Sequence, residues 1–285
     1  MSDRFTKISR FKDKSFKYLG LFCTFFGLAM LAIFISGILS DGLGRIDWDF
    51  ITSYPSRIAS RAGILSALAG TLWIIVITAM AAIPIGIGAA IYLEEFSRKS
   101  KINRIIELNI TNLAGVPSVI YGLLGLEIFG RVFGMGGSIL AGSLTLALLI
   151  LPIIIVATRE AIKAVPKSLR EASFALGASQ WQTVKKTVLP AAGSGIITGI
   201  IIALSRAIGE AAPLIVVGAL AYVPFIPDSP TSEFTVLPIQ IFNWVSRPQE
   251  AFLVNASAGI IILLGITFLL NSIAVWLRIK RAVRY

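Results

Sequence analysis

Six long apolar blocks decide what this chain can become. They fall at about 19–39, 72–93, 110–129, 139–158, 196–222 and 256–277. A helix rises about 1.5 Å per residue, so a hydrocarbon core of about 30 Å takes roughly 20 residues to cross. Lipid offers no hydrogen bonds to an open backbone, so spans of this kind become helices. With 56% apolar and 14% charged residues, the chain lacks the polar surface that a soluble domain of its size needs. The expected fold is all-α, a polytopic membrane protein with six transmembrane helices. The first block is too long for a signal-peptide core, and no A-x-A-like site follows it. It is read as a retained helix.

The basic residues give the spans a direction. Twenty of the 26 Lys and Arg fall on one side. They are Arg4, Lys7, Arg10, Lys12, Lys14 and Lys17 in a short, basic, mobile tail, then Arg98, Lys99, Lys101 and Arg104. Arg159, Lys163, Lys167, Arg170, Lys185 and Lys186 follow, with Arg278, Lys280, Arg281 and Arg284 at the end. The other side has Arg45, Arg57, Arg61, Arg131 and Arg247, and Arg206 lies inside a span. Positive charge stays inside, so both ends are expected in the cytoplasm. The net charge of +11 is then a topology signal and an attraction to membrane lipid. No nucleic-acid-reading motif stands behind it.

Several chemistries are excluded. There is no histidine, so His ligands and His bases are out. Cys23 alone makes no internal disulfide. No GxxxxGK[ST] loop exists, so the chain has no recognisable means of hydrolysing ATP itself. No enzyme activity, cofactor or metal is expected. Among the outside loops, 41–61 is mixed and polar. The loop 224–252 carries prolines with Phe234, Phe242 and Trp244. Either Trp244 and its neighbours form an interfacial aromatic belt, or they form a lip that meets an outside partner.

The loop from Arg159 to Ala192 is too long for a turn and has helical grammar. Ser168-x-x-Glu171 and Ser179-x-x-Gln182 read as capping boxes. Gly177 stops the first helix in a left-handed conformation. Trp181, Val184 and Val188 share one face, with Lys185 and Lys186 beside them. Pro190 ends the second helix. Two short helices hinged at a glycine make an elbow. It is either a surface feature without a partner or a docking element, and the apolar face with Trp181 favours docking.

Glu171-Ala172-Ser173, Gly177 and Leu189-Pro190 resemble the EAA loop of ABC importer permeases, E-A-A-x3-G-x9-I-x-L-P, with matching spacing. Ser173 stands for the third Ala, and Thr187 for the usual Ile. The resemblance implies a type I ABC importer permease fold whose cytoplasmic coupling helix, with Trp181 on it, fits a cleft on an ATP-hydrolysing subunit. It also implies a division into a basic tail (1–18), a first helix with its external loop (19–63), a permease domain (64–278, EAA loop 159–193) and a second tail (279–285).

The fifth span holds two charges. Arg206 and Glu210 are four apart and can pair. An unpaired charge at the bilayer centre costs about 2.5–3.5 kcal/mol even on gentle scales. Pro213 has no amide hydrogen for the carbonyl of Gly209, which weakens the helix beside the charges. The pair either fixes helix packing or lines a polar pathway, and the second reading is favoured. In it, Arg206 offers a bidentate fork to an oxyanion. Glu210 holds that fork when it is empty and repels an anion that lingers. Asn112, Ser118 and Tyr121 are read as inter-helix hydrogen-bonders rather than pathway donors. Glu127 and Arg131 are a gate or an interfacial pair.

Arg206, Gly209, Glu210, Ala212, Pro213 and Leu214 resemble the R-x-x-G-E-x-A-P-L stretch of phosphate-importer permeases of PstA type. AGVPSVIYGLLGL (114–126) and TVLPIQIFNWVSRPQEAF (235–252) are similar to the same type. The resemblance implies a subunit guiding inorganic phosphate inward. Its partners would be a PstC-type permease, two PstB-type ATPase subunits and an external PstS-type phosphate-binding protein. A permease for molybdate or sulfate, an ATP-independent transporter or channel, and a membrane scaffold are the alternatives. An ATP-independent protein would need no elbow, and Arg206 argues against a scaffold.

Overall fold

The computed structural model describes residues 2–97, 100–220 and 222–281, and their side chains apart from those of 2–12, 277 and 281. The side chains of Arg4, Lys7, Arg10, Lys12, Arg98, Lys99, Arg281 and Arg284, part of the orientation count, lie outside what it describes. So does the stretch 282–285 of the second tail.

The described residues are helical apart from loops and one isolated bridge, Ser138 to Glu233. The long helices are α1 (Ser2–Gly42), α3 (Leu65–Ile91), α6 (Ile139–Lys163), α9 (Leu189–Gly209) and α12 (Ala251–Arg281). The shorter ones are α2 (Trp48–Thr52), α4 (Lys101–Leu113), α5 (Ser118–Gly125), α7 (Lys167–Ala175), α8 (Gln180–Thr183), α10 (Ala212–Val217) and α11 (Leu237–Val245). Five straight segments are long and apolar enough to cross a bilayer, and α4 with α5 supplies a sixth if counted as one bent span.

The N-terminal stretch is helical from Ser2, as part of α1. One expectation needs correction here. The third span is not one straight helix: α4 and α5 meet at 106°. Pro117 explains the bend. It drives the residue before it out of helical backbone and caps α5 with φ −55° and ψ 134°. The fifth span is broken between α9 and α10, where Pro213 is expected to weaken it.

The packing has α6 at its centre, between α3 and α9. Small residues let the backbones close up. A Cβ on Gly86 would lie 2.6 Å from Ile154 Cγ2, and one on Gly195 2.7 Å from Ala161 Cβ. Close approach of this kind is how helices associate where lipid removes the hydrophobic drive between them. Thr78 donates to the carbonyl of Ser143 at 3.0 Å, a buried link between α3 and α6. By contrast, α1 and α12 leave most of their apolar surface outward. They meet where a Cβ on Gly42 would lie 2.6 Å from the backbone of Ser257.

The end of the bundle that carries α2 and α11 is capped by a second core. Phe50, Ile64, Leu237, Trp244 and Phe252 are fully or nearly fully buried there. Trp244 is therefore neither an interfacial belt residue nor part of a lip. Its ring lies 5.7 Å from that of Phe50 and it has no exposure. Phe234 is buried too, and of the three aromatic residues only Phe242 faces outward. Thr71 ties the cap to the bundle by accepting from the amide of Leu237 at 2.9 Å. Arg45 threads the loops together through Asn255, Asp47 and the carbonyls of Ser60 and Ala62.

Trp244→Ala removes the centre of this cap and should destabilise the protein by about 3–5 kcal/mol. Phe242→Ala should leave stability nearly unchanged. Thermal unfolding in detergent compares the two.

Candidate functional site: an elbow and a broken helix

The elbow folds largely as its sequence reads, with two differences. Gly177 takes φ +81°, and Ala178 N–H reaches the carbonyl of Ser173 while Gly177 N–H reaches that of Phe174. That is a Schellman stop. Ser179 and Gln182 form the second capping box in both directions. The first box is absent, because α7 begins two residues earlier, at Lys167. Pro166 occupies the cap position and leaves no cap bond for Ser168. Pro190 does not end the second helix either. It sits in the first turn of α9, where no amide hydrogen is needed, after a π turn at Val184–Val188.

Ser173 gains a role from its departure from alanine. Its hydroxyl lies 2.9 Å from that of Thr183 and pins the two halves of the elbow. Val184 and Val188 are wholly buried, Val188 against Ile162, Val165, Ala192 and Ile196. They are core rather than docking surface. The outward apolar side chains are Phe174, Leu176 and Trp181, with Leu176 90% exposed. Glu171, Ala172, Gly177 and Pro190 are exposed beside them, and Leu189 is half-buried.

The broken helix is the second feature. Glu210 leaves helical backbone at φ −81° and ψ 116°, directly after Gly209. Pro213 then starts α10 within its first turn. Arg206 Nε stands 3.4 Å from Glu210 Oε1, and the side chains are 41% and 19% exposed. The pair expected from spacing is thus made, at the place where the backbone opens. Packed beside it is α5, the second arm of the third span. A Cβ on Gly122 would lie 2.8 Å from Pro213 Cα and 2.9 Å from its carbonyl oxygen, so only glycine fits. The Tyr121 hydroxyl donates to the carbonyl of Leu113 at 2.8 Å and fastens α5 to α4 across the bend. Asn112 is exposed and Ser118 half-buried near the bend. Glu127 and Arg131 pair at 2.9 Å in the open, away from the break.

Glu94, Glu95 and Glu107 carry no motif, yet they gather around Arg159 and Arg170 behind the elbow. Adjacent glutamates at the end of an apolar block, followed by a basic loop, were the only signal in the sequence.

A model of binding-protein-dependent transport system inner membrane components matches residues 82–281. The chain belongs to this family. A probable ABC transporter permease protein, YqgI of Bacillus subtilis, is 34% identical over 263 residues, covering 87% of this chain and 89% of its own. The phosphate transport system permease protein PstA of Yersinia pestis is 32% identical, with 93% and 89% covered. PstA 1 of Mycobacterium tuberculosis H37Rv is also 32% identical, with 76% and 70% covered. In fold, the chain is similar to a subunit of the MetNI methionine ABC transporter in an inward-facing conformation. The TM-score is 0.60 at 19% identity, covering 78% of this chain and 95% of that one. The chain is thus a multi-pass inner-membrane permease of a type I ABC importer, and ATP hydrolysis lies on a partner subunit.

Gly177→Ala puts a Cβ into left-handed backbone at a cost of about 1–2 kcal/mol. The midpoint of thermal unfolding in detergent should fall accordingly, whereas Gly88→Ala, in open space on α3, should not lower it.

Proposed function

We propose that this permease conducts inorganic phosphate, as the PstA-type subunit of an importer. Its partners are a PstC-type permease, two PstB-type ATPase subunits and an external PstS-type phosphate-binding protein. The observation that carries the reading is Arg206 at the helix break. Glu210 engages only its Nε, and among the described residues the two terminal nitrogens have no partner. That leaves a planar fork of the kind that fits an oxyanion. A half-exposed cation beside an open backbone inside a membrane protein suits a water-lined path better than a packing role. The phosphate-transport names among relatives at 32% identity point the same way.

In this reading both termini are cytoplasmic, so the elbow faces the ATPase. Glu171, Ala172, Ser173, Gly177, Trp181, Leu189 and Pro190 form the coupling surface, and the outward Phe174 and Leu176 extend it. Residues 64–278 are the permease domain. Stretch 19–63 is the first helix with its external loop, and 1–18 and 279–285 are the tails. Closure of the ATPase pair moves the elbows of both permeases and exchanges inward-facing for outward-facing states. Gly209 and Pro213 supply the flexible joint, Arg206 holds the anion in passage, and Glu210 returns the fork to its empty state.

Arg206→Gln should lower phosphate uptake by reconstituted complexes by about 10- to 100-fold, the value of a charged hydrogen bond. Arg206→Lys should fall less, because it keeps the charge without the fork. Normal uptake by an assembled Arg206→Gln complex sinks the proposal. Uptake of molybdate or sulfate in preference to phosphate would assign the site to another oxyanion.

A further inference from the structure

Among the described residues, every ion pair that joins two helical segments distant in sequence converges behind the elbow. Arg159, near the end of α6, is 7% exposed. Its Nη2 lies 2.8 Å from Glu107 of α4 and 3.5 Å from Glu94. Arg170 of α7 reaches Glu95 through Nη2 at 2.8 Å and Nε at 3.2 Å, and it also donates to the carbonyls of Ile162 and Val165. Gln180 of α8 donates to the backbone carbonyl of Glu95, and the Trp181 ring lies 6.3 Å from that of Phe96.

Glu94 and Glu95 thus form a node. They sit together on the π turn Tyr92–Phe96 at the end of α3. Glu95 holds the elbow, while Glu94 shares Arg159 with Glu107 of α4. Stability alone gives little reason for this arrangement, since a buried ion pair seldom outperforms apolar packing of the same volume. Its geometry gives another reason. Beyond Glu107, α4 continues to the bend that Tyr121 of α5 fastens, and the next residue on α5, Gly122, abuts Pro213 beside the Arg206–Glu210 break. A continuous set of contacts runs from the elbow to the break.

We propose that the Glu94–Glu95 node is a coupling strut. It makes the elbow and α4 move as one body, so that displacement of the elbow is delivered through the bend to α5, which packs beside the broken helix. Glu95, Arg170, Arg159 and Glu107 are positioning residues in this scheme. The inference rests on the elbow docking an ATPase and is independent of which anion is carried. Contiguity suggests such a route, and only a coupling measurement establishes it.

The test uses the full importer in proteoliposomes, with ATP hydrolysis and phosphate uptake measured together. Glu95→Gln and Arg170→Gln should keep hydrolysing ATP while uptake per ATP falls about tenfold. Arg170→Lys should retain much of the ratio, because a charge still faces Glu95. An unchanged ratio in the assembled Gln variants overturns the strut. A second measurement covers variants that fail to assemble. Spin labels at Ser168→Cys on the elbow and Ile102→Cys on α4, both exposed, are placed in a Cys23→Ser background. Their separation in the otherwise unaltered complex should be the same with and without ATP. A resolved ATP-dependent change overturns the strut. That readout needs no substrate, so it stands even if the phosphate assignment falls.

Discussion

The close approach of Gly122 to Pro213 is the contact on which the rest of the structure depends. Two spans lose helical backbone in this protein, one at residues 114–117 and one at 210–211. Open backbone at membrane depth is tolerated only where protein or water satisfies it. The helices that follow these two pieces, α5 and α10, pack directly on each other. Only a glycine on α5 lets α10 come near enough, with Val216 Cβ also just 2.9 Å from where a Gly122 Cβ would be. Around this junction the remaining helices divide their work. α3, α6 and α9 pack as a rigid block, while α1 and α12 face outward.

Much of this was legible in the sequence because bilayer length and backbone chemistry leave few options. The apolar blocks located five spans, and a sixth if α4 and α5 are counted as one. Gly177, the Ser179–Gln182 box and the Arg206–Glu210 pair followed from local rules and took the conformations those rules describe. Pro213 marked the break in the fifth span. What was not legible depended on contacts distant in sequence. Trp244 in an outside loop reads as an interfacial residue until Phe50, some two hundred positions away, is found against it. Pro117 signals a turn, but hydropathy runs through it and hides the 106° bend. Pro190 reads as a terminator until the π turn before it places it at a helix start.

The polar chemistry is distributed unevenly, and the distribution follows function. At the break there is one loosely held pair with a partly exposed arginine, an arrangement suited to exchanging partners. Behind the elbow the arginines are largely buried, and each is held by several acceptors, an arrangement suited to transmitting displacement. Ser173 belongs to the second group, since its bond to Thr183 stiffens the elbow. Between them lies mostly apolar packing, which is dense enough to carry a shift without absorbing it.

The central claim is that water and phosphate reach Arg206. Ile202 is one turn away on α9 and 58% exposed. In a Cys23→Ser background, Ile202→Cys in the assembled importer is treated with a membrane-impermeant thiol reagent, with phosphate or with chloride present. The account predicts ready modification in chloride and clear protection by phosphate. A thiol that does not react at all, or one that reacts equally in both, contradicts it.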